Sequence, residues 1–304
     1  MGIRRRRGRD VRGILLLDKP GGVTSNQALQ RAKRLFQAAK AGHTGSLDPL
    51  ATGMLPLCFG VATKLAGYLL DARKTYAVAA ELGVATDTGD ADGAVIARAE
   101  GEPPEEERLR SALESFVGEI EQTPPMYSAL KRDGKRLYEL ARSGIVVERA
   151  PRRVRIFSVE LDEYEWPRCR FEVTCSKGTY VRTLVTDLAE ALGTLGHVTA
   201  LRRLAVEPFT ESGMVAFDTL ERAAEHGEEA LDRLLLPVDS ALANWPRVVL
   251  DPDRAARVAH GQAVAAMPDW PLGLVRLDEE SRGLIGIGEV SPDGRLAPRR
   301  LLSG

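Results

Sequence analysis

Between two apolar segments, GILLL at 13–17 and MLPLCFGVA at 54–62, the chain places AGHTGSLDPLATG, residues 41–53. Glycine, proline and short hydroxyl or acidic side chains suit turns and cannot fill the interior of a helix or strand. A loop is therefore imposed here, and the apolar segments on either side must supply the scaffold that holds it. Within it, Pro49 biases Asp48 towards extended or turn geometry, and Gly42, Gly45 and Gly53 let backbone approach a ligand closely. A plain Asp-Pro turn would give the same pattern. The functional alternative is a carboxylate displayed from a rigid loop, beside His43 and several hydroxyl groups.

The rest of the chain alternates short strand-like and helix-like patterns. GILLLD at 13–18 reads as a buried strand running into the turn Lys19-Pro20-Gly21-Gly22. Thr24 or Ser25 can cap a helix reaching about Ala39. Strands are expected at 54–62 and 76–82 with a short helix over 61–70, then a polar turn at 86–93 leading into AVIARA. A helix is expected at 105–117. Residues 124–152 form a long insertion rich in Pro, Gly and basic residues around a possible short helix, RLYELARS. Strands at 153–163 and 169–175 follow. The first changes apolar phase between Ile156 and Phe157, which calls for a bulge. A helix at 180–192 and a strand near 197–207 come next. After a linker around Asn244-Trp245-Pro246, the last 55 or so residues read as short Gly-separated strands. This order predicts an α+β fold on a mixed or antiparallel sheet, followed by a small β-rich domain.

Charge adds a partner class. The net charge of -1 hides an asymmetry: residues 1–80 hold 14 Lys/Arg and 4 Asp/Glu, a balance of +10, against -11 for the remainder. A basic lobe, with further clusters at Lys131–Arg136 and Arg152–Arg155, suits a polyanion, although a solvated face and a disordered arm give the same tally. No apolar run is long enough to span a bilayer, and no signal-type h-region follows the basic N-terminus. Three cysteines without CxxC spacing argue against disulfides and structural zinc, and four scattered histidines offer no metal cage. The turn at 87–93 lacks oxygen ligands at Gly89 and Ala91, so it reads as solvated. Phosphate-loop, dinucleotide, HExxH and GxSxG patterns are absent. The expectation is a cytoplasmic protein with no membrane and no metal.

GHTGSLDPLATGMLPLCFGVATK at 42–64 resembles the signature of the bacterial tRNA pseudouridine-55 synthases, the TruB family. DKPGGVTSNQ at 18–27, KTYAV at 74–78 and SKGTYVRTLVTDLAEALG at 176–193 match in order; LGVATDTGDADG at 82–93 and ALRRLAVEPF at 200–209 are also similar. The resemblance runs from about residue 12 to 240. It implies a flexible basic arm over 1–11, a catalytic domain over 12–243 with 124–152 as an RNA-clamping insertion, and a PUA-like RNA-binding domain over 244–304.

The implied activity is isomerisation of one uridine in the tRNA T-loop, by a monomer and without cofactor. The reaction breaks an N–C bond and makes a C–C bond without redox change or net hydrolysis. Asp48 maps onto the family's catalytic carboxylate and Arg182 onto its cationic partner, which is expected to hold the Asp48 pKa low. Tyr76 matches the residue that packs on the target base, and Tyr180 and Leu201 match pocket residues. His43 resembles the side chain that fills the stack when the base flips out. Lys19, Pro20 and Lys64 resemble residues on the RNA side of the cleft. In the insertion, Lys131, Arg132, Lys135 and Arg136 would meet phosphates of the T-loop and stem, and Tyr127 would stack. Without the resemblance, ordinary core or surface readings would serve for each of these. A synthase for another RNA, including a guide-dependent one, and a non-catalytic tRNA-folding chaperone are the competing readings. The intact set Asp48, Tyr76 and Arg182 argues against pure binding.

Overall fold

The computed structural model describes residues 8–302 except 129 and 133, with the side chains of Lys131, Arg132, Lys135, Arg136 and Arg142 left aside. The arginines at 4–7 lie outside the described residues.

Strand β1 (Gly13–Lys19) is apolar from Gly13 to Leu17, where both of its faces are covered. Leu15 and Leu17 join the main core, while Ile14 and Leu16 join a second core on the other face. Helix α1 (Ser25–Leu35) starts at a capping box: the Thr24 hydroxyl accepts from Gln27 N, and the Gln27 side chain returns to Thr24 N. It ends before the expected Ala39 because Gln37 takes a left-handed φ of 50°. The stretch expected to be all loop is strand at both ends, in β2 (Ala41–His43) and β3 (Thr52–Phe59). Cross-strand pairing explains the difference, since His43 lies opposite Leu57 and Gly53 opposite Lys19.

Helix α2 (Ala66–Asp71) leads to β4 (Lys74–Leu82), whose alternate residues are buried. The hairpin β5 (Val84–Thr86) and β6 (Val95–Arg98) encloses the polar turn. Helix α3 (Glu106–Ser115) is followed by β7 (Gly118–Gln122), a strand the sequence reading passed over because GEIEQ carries little apolar signal. In the insertion, β8 (Lys131–Arg132) and β9 (Lys135–Arg136) pair as a small hairpin before α4 (Leu137–Arg142). Strands β10 (Arg152–Glu165) and β11 (Arg168–Cys175) pair with a register shift between Ile156 and Ser158, where the phase change called for one. Helix α5 (Val181–Ala191) and β12 (Gly196–Val206) follow, then α6 (Phe217–Glu225) and α7 (Glu228–Asp232).

These strands make one eight-stranded mixed sheet in the order β1-β3-β12-β4-β11-β10-β7, with β2 also on β3. Strand β3 gives one edge to β1. Its other edge is shared, with β12 meeting Thr52 and Gly53 in parallel and β2 meeting Leu57 to Phe59. The loop carrying Asp48 joins β2 to the start of β3, and so hangs from the division of that edge. Gly53 is required there: a Cβ would lie 2.3 Å from the Arg203 carbonyl oxygen.

The C-terminal region comprises β13 (Arg247–Leu250), α8 (Pro252–Ala259), β14 (Val264–Ala265), β15 (Gly273–Glu279), β16 (Gly283–Ser291) and β17 (Arg295–Leu301). Its five-stranded sheet has its own core around Val248, Val275 and Leu277. Ile287 packs into the second core beside Ile14 and Leu242, which seats this sheet on the larger one. Among the described residues no helix is long and apolar enough to cross a membrane.

Candidate active site

The loop at 44–51 is held at almost every residue. Thr44 N donates to the Pro56 carbonyl at 3.1 Å, and Arg203 Nη2 reaches the Gly45 carbonyl at 3.4 Å. The buried Ser25 hydroxyl accepts from Leu47 N at 2.7 Å and lies 3.1 Å from the Leu47 carbonyl. Pro49 offers its carbonyl to Gly22 N at 2.9 Å and to Lys19 Nζ at 3.4 Å. Asp48 closes a turn by accepting Ala51 N at 3.1 Å. A carboxylate on such a loop is fixed before any ligand arrives, as catalysis by preorganised charge requires.

Asp48 lies on a cavity of about 520 Å³ shared with Tyr76, Tyr180, Arg182 and Leu201, so the fold gathers five of the sequence-selected residues. That volume suits one nucleotide. Strand β4 contributes Tyr76, with Arg203 of β12 on one side and Val173 of β11 on the other. The N-terminal turn of α5 contributes Arg182, which is buried although a helix Arg ordinarily faces water. Its Nη2 stands 2.9 Å from Asp48 Oδ2 and donates to the Tyr127 carbonyl at 2.7 Å. Its Nη1 donates to the Thr88 carbonyl at 2.9 Å and lies 3.5 Å from Asp90 Oδ2. The guanidinium is thus anchored on both forks, and one fork aims at the carboxylate.

The Asp48 side chain is 40% exposed and lines the cavity. Burial raises its pKa above the ordinary carboxylate value. Arg182 pulls the other way, Asp90 adds to the rise and Lys19 opposes it. The expectation of a depressed pKa is therefore corrected: the cation is in place, but desolvation of the anion outweighs it. Burial likewise raises the Tyr76 and Tyr180 phenols, keeping both protonated.

Other selected residues fall elsewhere. Lys19 does not line the pocket. It is fully buried behind the loop, with Nζ donating to the Pro20 and Val23 carbonyls at 2.8 Å, and burial lowers its pKa to about 8. Pro20 is exposed in the same turn. Lys64 belongs to a separate surface, where Nζ donates to the Leu301 carbonyl at 3.0 Å and lines cavities shared with Lys40. His43 ends β2, two residues before Gly45, without lining the cavity. Its Nδ1 is buried without a partner, and burial, aided by Arg203, lowers its pKa. The phosphate contacts proposed for Lys131, Arg132, Lys135 and Arg136 concern side chains outside the described residues.

Sequence reasoning missed Asp90 and Arg203. The first was read as part of a solvated turn, yet it is buried and joined to Arg182. The second is an Arg at an inward strand position, 1% exposed, with Nε donating to the Met54 carbonyl at 2.6 Å. A charge at a position where strand alternation demands an apolar residue was the available signal.

Comparison with known proteins identifies the family. Residues 33–181 match the TruB family pseudouridylate synthase N-terminal domain, 182–243 the tRNA pseudouridylate synthase B C-terminal domain, and 246–302 the pseudouridine synthase II TruB C-terminal domain. The chain is 55% identical over 295 residues to the tRNA pseudouridine synthase B of Stutzerimonas stutzeri, covering 97% of this chain and 96% of that one. It is 52% identical over 299 residues to that of Nitrosococcus oceani, covering 98% and 97%. A chain in the crystal structure of a Cbf5-Nop10-Gar1 complex superposes with a TM-score of 0.75 at 26% identity, over 96% of this chain and 85% of that one. The chain belongs to the TruB family of pseudouridylate synthases.

Proposed function

We propose that this protein isomerises uridine to pseudouridine in tRNA, with the target in the T-loop. The carrying observation is the Arg182–Asp48 pair on the wall of a nucleotide-sized cavity that also holds Tyr76, Tyr180 and Leu201. The N1–C1′ bond of the nucleotide breaks, the base turns, C5 bonds to C1′, the C5 proton leaves to water, and N1 takes up a proton from water in exchange. Asp48 supplies the carboxylate, either as a covalent partner or as a stabiliser of developing positive charge. Arg182 fixes its direction. Tyr76 packs on the base beside Arg203, and because burial keeps its phenol protonated, water rather than this phenol takes the C5 proton.

A base paired or stacked in a folded loop must be extruded to reach this cavity, at roughly a few kcal/mol. His43 stands close to the loop and is neutral at physiological pH, which suits a ring that occupies the vacated stack. The C-terminal sheet and the insertion hold the RNA, and the molecule acts as a monomer. A tRNA transcript tritiated at uridine C5 tests this reading. Label should pass to water from the normal transcript and not from one in which only the T-loop target is replaced by cytidine. Release from both would place the target elsewhere.

A further inference from the structure

The start of the insertion touches two neighbouring pocket residues. The Tyr127 carbonyl accepts from Arg182 Nη2 at 2.7 Å, and the next residue, Ser128, lines the cavity beside Tyr180. Ser128 is 5% exposed, and its Oγ is buried without a hydrogen-bond partner. An orphaned buried hydroxyl is costly to the folded state, so it calls for an explanation.

Tyr180 offers one. Its backbone is pinned on both sides by the buried Gln122 side chain, with Tyr180 N donating to Oε1 at 3.0 Å and Nε2 donating to the Tyr180 carbonyl at 3.3 Å. Its phenol stands close enough to Ser128 for that hydroxyl to oppose the burial-driven rise of its pKa, yet the bond to Oγ is not completed.

We propose that Ser128 is a positioning residue for Tyr180, closing a hydrogen bond with the phenol when the pocket takes a nucleotide and so fixing the ring against the base. This rests on the reading of the cavity as a uridine site. It also links the insertion to the chemistry, because Ser128 and the Tyr127 carbonyl act on residues 180 and 182 of one helix start.

A double-mutant cycle on single-turnover tritium release tests the idea, with tRNA binding measured in parallel. Ser128→Ala and Tyr180→Phe should each slow the bound-state rate about 2- to 12-fold, the range of one neutral hydrogen bond, with tRNA affinity held within about twofold. The double variant should be no slower than the slower single one, and Ser128→Thr, which keeps a hydroxyl, should recover most of the rate. If Ser128→Ala fails to fold, the same cycle is run with Ser128→Cys. Multiplicative losses, a wild-type rate in the Ser128 variant, or a loss confined to affinity would overturn the proposal. Absence of release by the wild-type protein would instead defeat the uridine reading itself.

Discussion

Arg182 Nη2 lies 2.9 Å from Asp48 Oδ2 while the other fork of the same guanidinium faces Asp90 at 3.5 Å. One buried cation thus serves two carboxylates, only one of which opens on the cavity. Removing the charge of Arg182 should therefore act through Asp48. In Arg182→Met the acid limb of the single-turnover pH profile should move to higher pH, since the carboxylate loses its main stabiliser, and the rate at neutral pH should fall. A limb at the wild-type position would detach the two residues.

Asp90 acts on Asp48 with the opposite sign. Its negative charge contributes to the raised Asp48 pKa, so Asp90→Asn should move the acid limb downward. The rate plateau should fall about tenfold, because Arg182 loses one of its anchors. The two variants shifting the limb in the same direction would contradict the arrangement.

Lys19 stiffens the loop from behind and, being fully buried, offers no surface to RNA. Lys19→Met removes an ammonium shared by three carbonyls and should cost about 2 kcal/mol or more of stability, lowering the bound-state rate with little change in tRNA affinity. The sign with pH is also fixed. Burial lowers the folded-state pKa to about 8 against an ordinary value near 10.5, so the folded state binds fewer protons above pH 8. Stability of the wild type relative to Lys19→Met should rise between about pH 8 and 10. Thermal melts across that interval check it.

Much of this architecture could be read from sequence where periodicity and turn chemistry agree. The apolar β1, the Thr24 cap and the bulge after Ile156 each leave a local signature. So does the loop read from composition at 41–53, although its two ends are strand and only 44–51 is irregular. The cavity itself is not local. Tyr76, Arg182 and Leu201 come from three elements, and family likeness, not spacing, brought them together. Asp90 and Arg203 escaped because their burial depends on tertiary neighbours: a polar turn folds under α5, and an inward Arg finds backbone carbonyls. The direction of the Asp48 pKa was misjudged for the same reason, since desolvation depends on the packed surroundings and the partner charge alone does not set it.

His43 separates stacking from proton transfer. Its lowered pKa leaves the ring neutral over the working range, so a stacking role needs only its surface. His43→Phe should keep most of the activity and His43→Ala should lose more, with an unstacked minihelix substrate partly restoring Ala. Equal and severe losses in Phe and Ala would assign the imidazole nitrogens a chemical task.

Asp48 is proposed to perform chemistry and not to hold RNA or the fold. The direct measurement is single-turnover tritium release by Asp48→Asn with saturating enzyme and a C5-labelled tRNA, alongside binding and a thermal melt. Release should drop by several orders of magnitude while affinity stays within about twofold. The melting temperature should hold or rise, because a carboxylate whose pKa burial has raised costs the folded state stability at neutral pH. Substantial release by pure Asp48→Asn protein would remove Asp48 from the chemistry.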